Sequence, residues 1–308
     1  HECSSAASDV YKRQGQSPIS INLESSQGSM HINETDVLDA SGNVQHVAGT
    51  LLTFIASPFA TMIYYTLATP WDISSTWTHL GSPYFRPSKN GTHSSPYASP
   101  TTYRLSYDGD KAYVLDRNYQ GNYGTDSAAI YIYSNSDVNQ LLSANNGASF
   151  QSRWYQPFNT YTTGEFPLWD FRFSQDGTKI YLTFQSNTAN SDPNEIQRFD
   201  LSTPWDLSTA SSSAVQTLTT PTTGHSSARF AISPDGKTGA FIKSNVDIVY
   251  YTTFSTAFDL TTAGSWNQWT ASIVQNDGPA DIFYKPDGTK LYIMSDRSSY
   301  QGKVLQYD

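Results

Sequence analysis

The stretch Ser174-Gln-Asp-Gly-Thr-Lys-Ile-Tyr181 returns as Ser233-Pro-Asp-Gly-Lys-Thr-Gly-Ala-Phe241 and as Lys285-Pro-Asp-Gly-Thr-Lys-Leu-Tyr292. A fourth copy reads Ser106-Tyr-Asp-Gly-Asp-Lys-Ala-Tyr113. A worn fifth appears when residues 48–73 are laid without a gap on residues 235–260, which puts Gly49 on Gly236, Phe54 on Phe241, Tyr64 on Tyr251 and Asp72 on Asp259. Self-similarity with a period of tens of residues marks a repeat architecture, in which each repeat buries its faces against its neighbours.

Each repeat reads as four strands. An apolar segment (Tyr103-Arg-Leu, Phe171-Arg-Phe, Phe230-Ala-Ile or Ile282-Phe-Tyr) runs into the Asp-Gly turn, where glycine supplies the positive φ of a two-residue hairpin. A second strand, residues 179–184, leaves the turn, and after a variable connection a third ends in an aromatic and an Asp, as at Phe199-Asp200. The phrase Leu201-Ser-Thr-Pro-Trp-Asp-Leu207 then turns the chain, because Pro204 has no N–H to give to a ladder. A fourth strand follows, at residues 214–219 or 266–273. Four antiparallel strands per repeat, arranged radially, predict an all-β chain folded as a single β-propeller of five blades.

The ends of the chain bear on closure. The fifth repeat stops at Val304-Leu-Gln-Tyr-Asp308, after its third strand, while the alternating run Ile19-Ser-Ile-Asn-Leu23 belongs to no repeat. The expectation is an N-terminal strand that completes the last blade, closes the ring and covers a sheet edge. The competing expectation is a chain that runs on past Asp308 into further blades, since Tyr307-Asp308 stands where Phe199-Asp200 continues into the Pro-Trp-Asp phrase. Residues 1–14 resemble translated sequencing-adapter read-through from an environmental assembly, so they are set apart as a non-native leader from a propeller domain of residues 15–308.

Composition narrows the partners. A net charge of −9 argues against nucleic acid, whose phosphates call for clustered Lys and Arg. No apolar run is long enough to cross a bilayer, so membrane insertion is not expected. The lone cysteine, Cys3, lies in the leader, which leaves neither disulfides nor cysteine metal sites, and no cofactor is expected. Only 15% of residues are charged, so the polar surface must come from Ser, Thr, Asn, Gln and Tyr. That style suits a protein working outside cells or on a virion surface.

What recurs in every repeat is explained by the blade. Asp108, Asp176, Asp235 and Asp287 are hairpin residues; Trp71, Trp205 and Phe258 are expected to pack on the outer strands, with Asp72, Asp206 and Asp259 capping a turn. Function is expected where repeats differ. Connections two-to-three and four-to-one open at one end of each blade, and the long insertions (residues 80–100, 116–127, 156–167 and 185–194) are all assigned to that end, which reads as a binding face on a rigid scaffold. They carry Tyr84, Phe85, Tyr97, Tyr119, Tyr123, Tyr155, Phe158, Tyr161 and Phe166. Flat aromatic faces beside amides and hydroxyls suit carbohydrate, and the alternative is that these rings pack their loops onto the blades. Tyr84, Tyr97, Tyr119, Tyr123, Tyr155 and Tyr161, with Arg117, are therefore the candidate ligand-binding residues. The related loops at 116–121 and 296–302 add Arg297 and Tyr300, either as a repeated subsite or through shared ancestry.

The first strands give a second candidate. Six and four residues before the turn Asp stand Thr102 and Arg104, Asp170 and Arg172, Arg229 and Ala231, and Asp281 and Phe283. Arg104, Asp170, Arg172, Arg229 and Asp281 could line the mouth of a central channel and bind a polar ligand, or could satisfy one another as ion pairs. Glu165, Asp170 and Asp281 can be cast as the acid, base and modulator of a glycoside hydrolase, although nothing in the sequence sets their separation. His46, His79, His93 and His225 lack ligand spacing, and residues 190–195 lack the frame of a calcium loop, so no metal site is expected. Asn33-Glu-Thr35 and Asn90-Gly-Thr92 match the glycosylation pattern.

The phrases Ser-Pro-Asp-Gly and Phe-Asp-Leu-Ser-Thr-Pro-Trp-Asp-Leu-Ser-Thr resemble the propeller repeats of structural and tail-associated proteins of marine bacteriophages and related environmental sequences. They are similar, more distantly, to YVTN-type surface propellers. The similarity spans residues 48–308, with departures at Ala48 and at Ser134-Asn-Ser-Asp-Val-Asn139. It implies a propeller without implying a chemistry, since propellers host many activities. The expectation is a non-enzymatic module that recognises a glycan or host-surface receptor through its long loops. The alternatives are an architectural part that binds other virion proteins and a glycoside hydrolase-like enzyme.

Overall fold

The computed structural model describes residues 19–22, 28–38, 41–56, 61–81, 100–107, 111–116, 129–134, 150–154, 168–184, 193–223, 228–243, 247–271, 278–296 and 303–308. The chain is all-β, and its described residues form five four-stranded antiparallel sheets, the blades of a five-bladed β-propeller, with one two-stranded ribbon. It divides into two compact units, residues 28–166 and residues 1–27 with 167–308.

The chain opens on β1 (Ile19–Asn22), which belongs to the second of these units. In the 28–166 unit, β2 (Ser29–Ile32) is followed by the ribbon of β3 (Val37–Leu38) and β4 (Val44–His46), then by β5 (Leu51–Ala56), β6 (Thr61–Leu67) and β7 (Trp77–Gly81), with sheet order β2-β5-β6-β7. Its second sheet runs through β8 (Pro100–Leu105), β9 (Lys111–Asp116), β10 (Ala129–Ser134) and β11 (Phe150–Trp154). The other unit holds β12 (Leu168–Phe173), β13 (Lys179–Phe184), β14 (Pro193–Asp200) and β15 (Gln216–Thr223); then β16 (Ala228–Ile232), β17 (Thr238–Lys243), β18 (Ile248–Thr253) and β19 (Asn267–Thr270). Its last sheet is β20 (Gly278–Tyr284), β21 (Leu291–Asp296) and β22 (Lys303–Tyr307), with β1 as fourth strand, Ile19 opposite Gln306 and Asn22 opposite Lys303. The N-terminal strand therefore completes the last blade.

Second strands such as Lys179–Phe184 show no polar alternation because both their faces are covered. Ile180, Tyr181, Leu182, Thr183 and Phe184 are all buried. Tyr181 and Ile196 pack with Phe230, Phe241 and Phe254 of the next sheet, and Ala240, Ile242 and Val249 pack with Ile282, Ile293 and Leu305 of the one after. Polar clamps add direction to this packing. Arg198 donates to the Phe258 carbonyl (2.9 Å) and to Gln216 Oε1 (2.8 Å), and Gln216 Nε2 donates to Asp259 Oδ1 (2.7 Å).

Three expectations need correction. The Asp-Gly turn is longer than a two-residue hairpin: Ser174 N–H bonds the Lys179 carbonyl (3.0 Å), with residues 175–178 between them. Side chains rather than ladder bonds shape it, for Ser174 Oγ donates to Asp176 Oδ1 (2.6 Å) and Thr178 N–H donates to the same oxygen (3.0 Å). Gly177 sits at φ +67° and donates to the Ser174 carbonyl. The same geometry recurs at Ser233-Asp235-Gly236, while Asp108 lies outside the described residues.

The turn aromatics pack on the turn glycines of their own repeats. Trp71, Trp205 and Phe258 all take positive φ (59°, 62° and 61°) and fold back over Gly49, Gly177 and Gly236, to whose carbonyls their N–H groups donate (2.9, 3.0 and 2.8 Å). A methyl group on any of these glycines would fall inside the ring above it. A glycine is therefore needed twice over, for its φ and for the flat seat it gives the ring. Asp206 and Asp259 do cap short 3-10 turns, each accepting from a backbone N–H two residues on.

Nor are the long insertions confined to one end of the blades. Residues 33–50 lie between the first and second strands of one sheet and residues 135–149 between the third and fourth of the next, both at the end with the tight turns. The 33–50 excursion is tied down by Asn33, which is 1% exposed: its amide donates to the Thr35 (2.8 Å) and Val47 (2.9 Å) carbonyls, and its Oδ1 accepts from Leu51 N–H (2.7 Å). A side chain so engaged cannot carry a glycan, which removes Asn33 as a glycosylation site; Asn90 lies outside the described residues.

Candidate functional site

The side chains at the start of the first strands are placed by β-bulges. In β8, β12 and β20 the register shifts between Pro100 and Thr102, between Leu168 and Asp170, and between Pro279 and Asp281. A bulge inserts one unpaired residue and re-aims the side chain beside it. Equivalent positions are thereby turned the same way in three sheets. β16 has no such shift, and there an arginine, Arg229, occupies the position.

In the unit holding residues 167–308 these side chains meet. Arg172 pairs with Asp281 Oδ1 and lies 3.4 Å from Asp170 Oδ2, while Arg229 lies 3.7 Å from Asp170 Oδ1. Both arginines also cross to the backbones of other sheets. Arg172 Nε donates to the Phe230 carbonyl (3.1 Å) and Nη2 to the Ile282 carbonyl (2.6 Å). Arg229 Nε donates to the Ala280 carbonyl (3.0 Å) and Nη1 to the Trp169 carbonyl. The guanidinium of Arg172 stands 5.9 Å over the Phe283 ring, and Asp281 Oδ1 accepts from Ile282 N–H (2.8 Å). Two cations and two anions, all buried, make a neutral cluster that staples three first strands together.

Arg104 does the same work in the 28–166 unit, donating through Nη1 to Ser29 Oγ (2.8 Å) and to the Met30 (3.1 Å) and Tyr103 (2.6 Å) carbonyls. Its targets are on β2, the first strand of the adjacent sheet, and on its own strand. A planar guanidinium with five donors suits such bridging of carbonyls better than an ammonium. Asp170 and Asp281, both at 0% exposure, stand in ion pairs with arginine inside the protein. Glu165 lies outside the described residues.

The loop residues Tyr84, Tyr97, Arg117, Tyr119, Tyr123, Tyr155, Tyr161, Arg297 and Tyr300 also lie outside the described residues, but the strands that carry them are set. In the 28–166 unit, residues 82–99 run from β7 to β8, residues 117–128 from β9 to β10, and residues 155–166 leave β11. All three belong to the sheet ends opposite the tight turns. Among the described residues no group of three or more His, Cys, Asp or Glu is placed to hold a metal ion. His46 is half-buried, which lowers its pKa, and His79 is exposed. The backbone carbonyls that receive the arginines escaped sequence reasoning, although Pro100 and Pro279, each two residues before the side chain in question, are the kind of in-strand proline that marks a bulge.

No family model matches the chain, and no curated protein matches its sequence. Solved structures resemble it in fold. An exo-β-1,3-galactanase of Phanerochaete chrysosporium, solved with β-1,3-galactotriose, superposes with a TM-score of 0.51 at 11% identity, over 90% of this chain and 64% of the galactanase chain. A Bifidobacterium bifidum s17 protein described as an exo-β-1,3-galactanase gives 0.51 at 13% identity, over 90% of this chain and 92% of its own. The WD40 domain of Toxoplasma gondii coronin gives 0.43 at 8% identity, over 90% of this chain and 55% of that one. The chain thus spans less than two thirds of the Phanerochaete chain, and at 11–13% identity the likeness to the two galactanase structures establishes a shared fold and nothing finer.

Proposed function

We propose that this propeller is a non-enzymatic recognition module that binds glycan through the loops at residues 82–99, 117–128 and 155–166, and that it works outside the cell or on a virion surface. The observation that carries the reading is topological: three long connections rich in Tyr, Asn, Ser and Thr issue from the same ends of two neighbouring sheets whose first and second strands are buried. Aromatic faces on a rigid scaffold can stack on the C–H face of a sugar while neighbouring polar groups bond its hydroxyls. The likeness of the repeats to those of marine bacteriophage tail-associated proteins makes a host-surface glycan the partner to try, and the galactanase neighbours make β-linked galactosides the first probes.

Binding without hydrolysis is favoured over a glycosidase because Asp170 and Asp281, the carboxylates nearest a catalytic arrangement, are buried against Arg172 and Arg229. A second reading, an architectural part that contacts other virion proteins, draws on Val44 in the ribbon and Val47 just after it, which are 52% and 53% exposed at the opposite sheet end. A broad glycan array with the full chain separates the two. Selective binding to a restricted set of glycans supports recognition; a folded chain that binds none and self-associates supports assembly.

A further inference from the structure

Laying Gly49 on Gly177 sets Leu52, Thr53 and Phe54 of β5 on Ile180, Tyr181 and Leu182 of β13. The strands paired with these segments then match as well: Ile32, His31 and Met30 stand opposite the first three, and Phe173, Arg172 and Phe171 opposite the second three. His31 therefore holds the place that Arg172 holds in the third repeat and that Arg104, opposite Tyr113, holds in the second. The other repeats put Ala231 and Phe283 there, opposite Ala240 and Tyr292. Of these five occupants only the histidine changes its charge near neutral pH. The 33–50 excursion hides the equivalence from the sequence, because it parts β2 from the turn that aligns the other repeats.

His31 is buried, and its bonding joins the two sheets of the 28–166 unit. Across the seam from it, β8 is the edge strand of its sheet, and Ser106 N–H bonds the Lys111 carbonyl inside that sheet. Leu105 N–H, one residue earlier, points off the edge, and His31 Nε2 accepts it at 3.4 Å. A ring nitrogen that accepts carries no proton, so the imidazole is neutral with its proton on Nδ1. The ring also meets the Tyr103 ring edge-on at 5.8 Å. The described strands of the unit bring three ionisable groups to this place. Two are the phenols of Tyr103 and Tyr64, which burial raises well above the ordinary 10.0 and so keeps neutral. The third is the guanidinium of Arg104, which donates to Ser29 Oγ and to the Met30 carbonyl, beside His31 on β2. The cross-strand neighbour on β5 is the uncharged Thr53.

Arg104 and Arg172 donate to carbonyls of other sheets, whereas His31, in the same place, accepts from an amide. Only the neutral ring can do so. A proton from solvent would take the Nε2 lone pair, leave both ring nitrogens as donors, turn a second N–H toward that of Leu105 and put a positive charge near Arg104. We propose that His31 is an acid-sensitive latch between the two sheets of the 28–166 unit, closing their seam when neutral and releasing it when protonated. The closed seam alone bears the cost of the proton, through a Leu105 amide left without its acceptor and an imidazolium held among buried groups. Once the seam opens, water hydrates both.

The test compares chemical unfolding of the full chain with that of His31→Gln, whose amide oxygen accepts a hydrogen bond without titrating. Expected is a folded-to-unfolded ratio that, relative to the variant, is constant above about pH 7 and falls by up to about tenfold for each unit below about pH 6.5, where the imidazole of the unfolded chain takes up its proton. Hydrogen exchange, corrected for its own pH dependence, should show residues 29–32 and 100–105 losing protection in mild acid before residues 168–173 do. If the variant does not fold, nitrogen–proton correlation spectra of the unaltered chain labelled in histidine read the same claim: a neutral His31 ring with its proton on Nδ1 at neutral pH, converting to imidazolium as those two segments open. A ratio that runs parallel in the two proteins, a His31 ring protonated on Nε2 at neutral pH, or acid exchange that spares the seam would each overturn the proposal.

Discussion

Replacing Gly177 by alanine tests the ring-on-glycine seat. Gly177 is at φ +67°, where an L-residue costs about 1–2 kcal/mol, and its new methyl would fall within the Trp205 indole. That ring cannot swing away freely, because Trp205 is 9% exposed, its N–H is bonded to the Gly177 carbonyl, and it packs on Phe173 at 5.0 Å. Forcing it aside adds about 1–3 kcal/mol, as overpacking of a core does. The expected total is about 2–5 kcal/mol. Gly42→Ala is the control, since Gly42 has a similar φ of +83° but nothing within 4 Å of the new methyl, so only the conformational cost of about 1–2 kcal/mol remains. Urea unfolding monitored by tryptophan fluorescence reads both as shifts of midpoint at unchanged slope. If Gly177→Ala costs no more than Gly42→Ala, the seat contributes nothing and the argument for its recurrence fails.

Asp170→Ala leaves Arg172 and Arg229 short of a buried counter-charge and should destabilise the chain by about 3–5 kcal/mol, read by chemical unfolding. Asn33→Ala strands the Leu51 N–H and the Val47 carbonyl and should cost about 1–3 kcal/mol for each group left unpaired, while mass spectrometry of protein made in a glycosylating host should find Asn33 unmodified. Burial would raise the Asp176 carboxyl, but hydrogen bonds from Ser174 and Thr178 and the charge of Lys179 outweigh it and hold the pKa below the usual 3.8; its contribution is whole above that value and is lost as pH falls through the folded pKa, so Asp176→Asn should flatten the loss of stability as pH falls below 3.8, followed by acid unfolding. Burial raises the phenols of Tyr64, Tyr103 and Tyr181 well above 10.0, so ultraviolet titration should show these three ionising only when alkali unfolds the chain.

The repeat phrase made the blade legible because it encodes geometry directly: a serine and an aspartate for the turn, a glycine for positive φ, and an apolar run for a strand covered on both faces. The closing strand was legible too, since Ile19-Ser-Ile-Asn-Leu23 alternates and the fifth repeat lacks its fourth strand. What escaped was long-range. The seat of Trp205 on Gly177 joins residues 28 apart through a backbone bend that no local pattern announces, and the 33–50 excursion hid the first strand of the first blade far from its turn. At the first strands, Asp170, Arg172, Arg229 and Asp281 were legible by counting back from the turn. Their partners, the carbonyls of Trp169, Phe230, Ala280 and Ile282, were not, because a backbone acceptor has no sequence signature.

The claim that recognition resides in the loops, with the buried charges serving only the scaffold, is tested most directly by hydrogen-exchange mass spectrometry with and without the glycan selected on an array. The account predicts new protection in residues 82–99, 117–128 and 155–166 and unchanged exchange at residues 168–173, 228–232 and 278–284. Protection confined to those first-strand segments, with the loops unaffected, would contradict it.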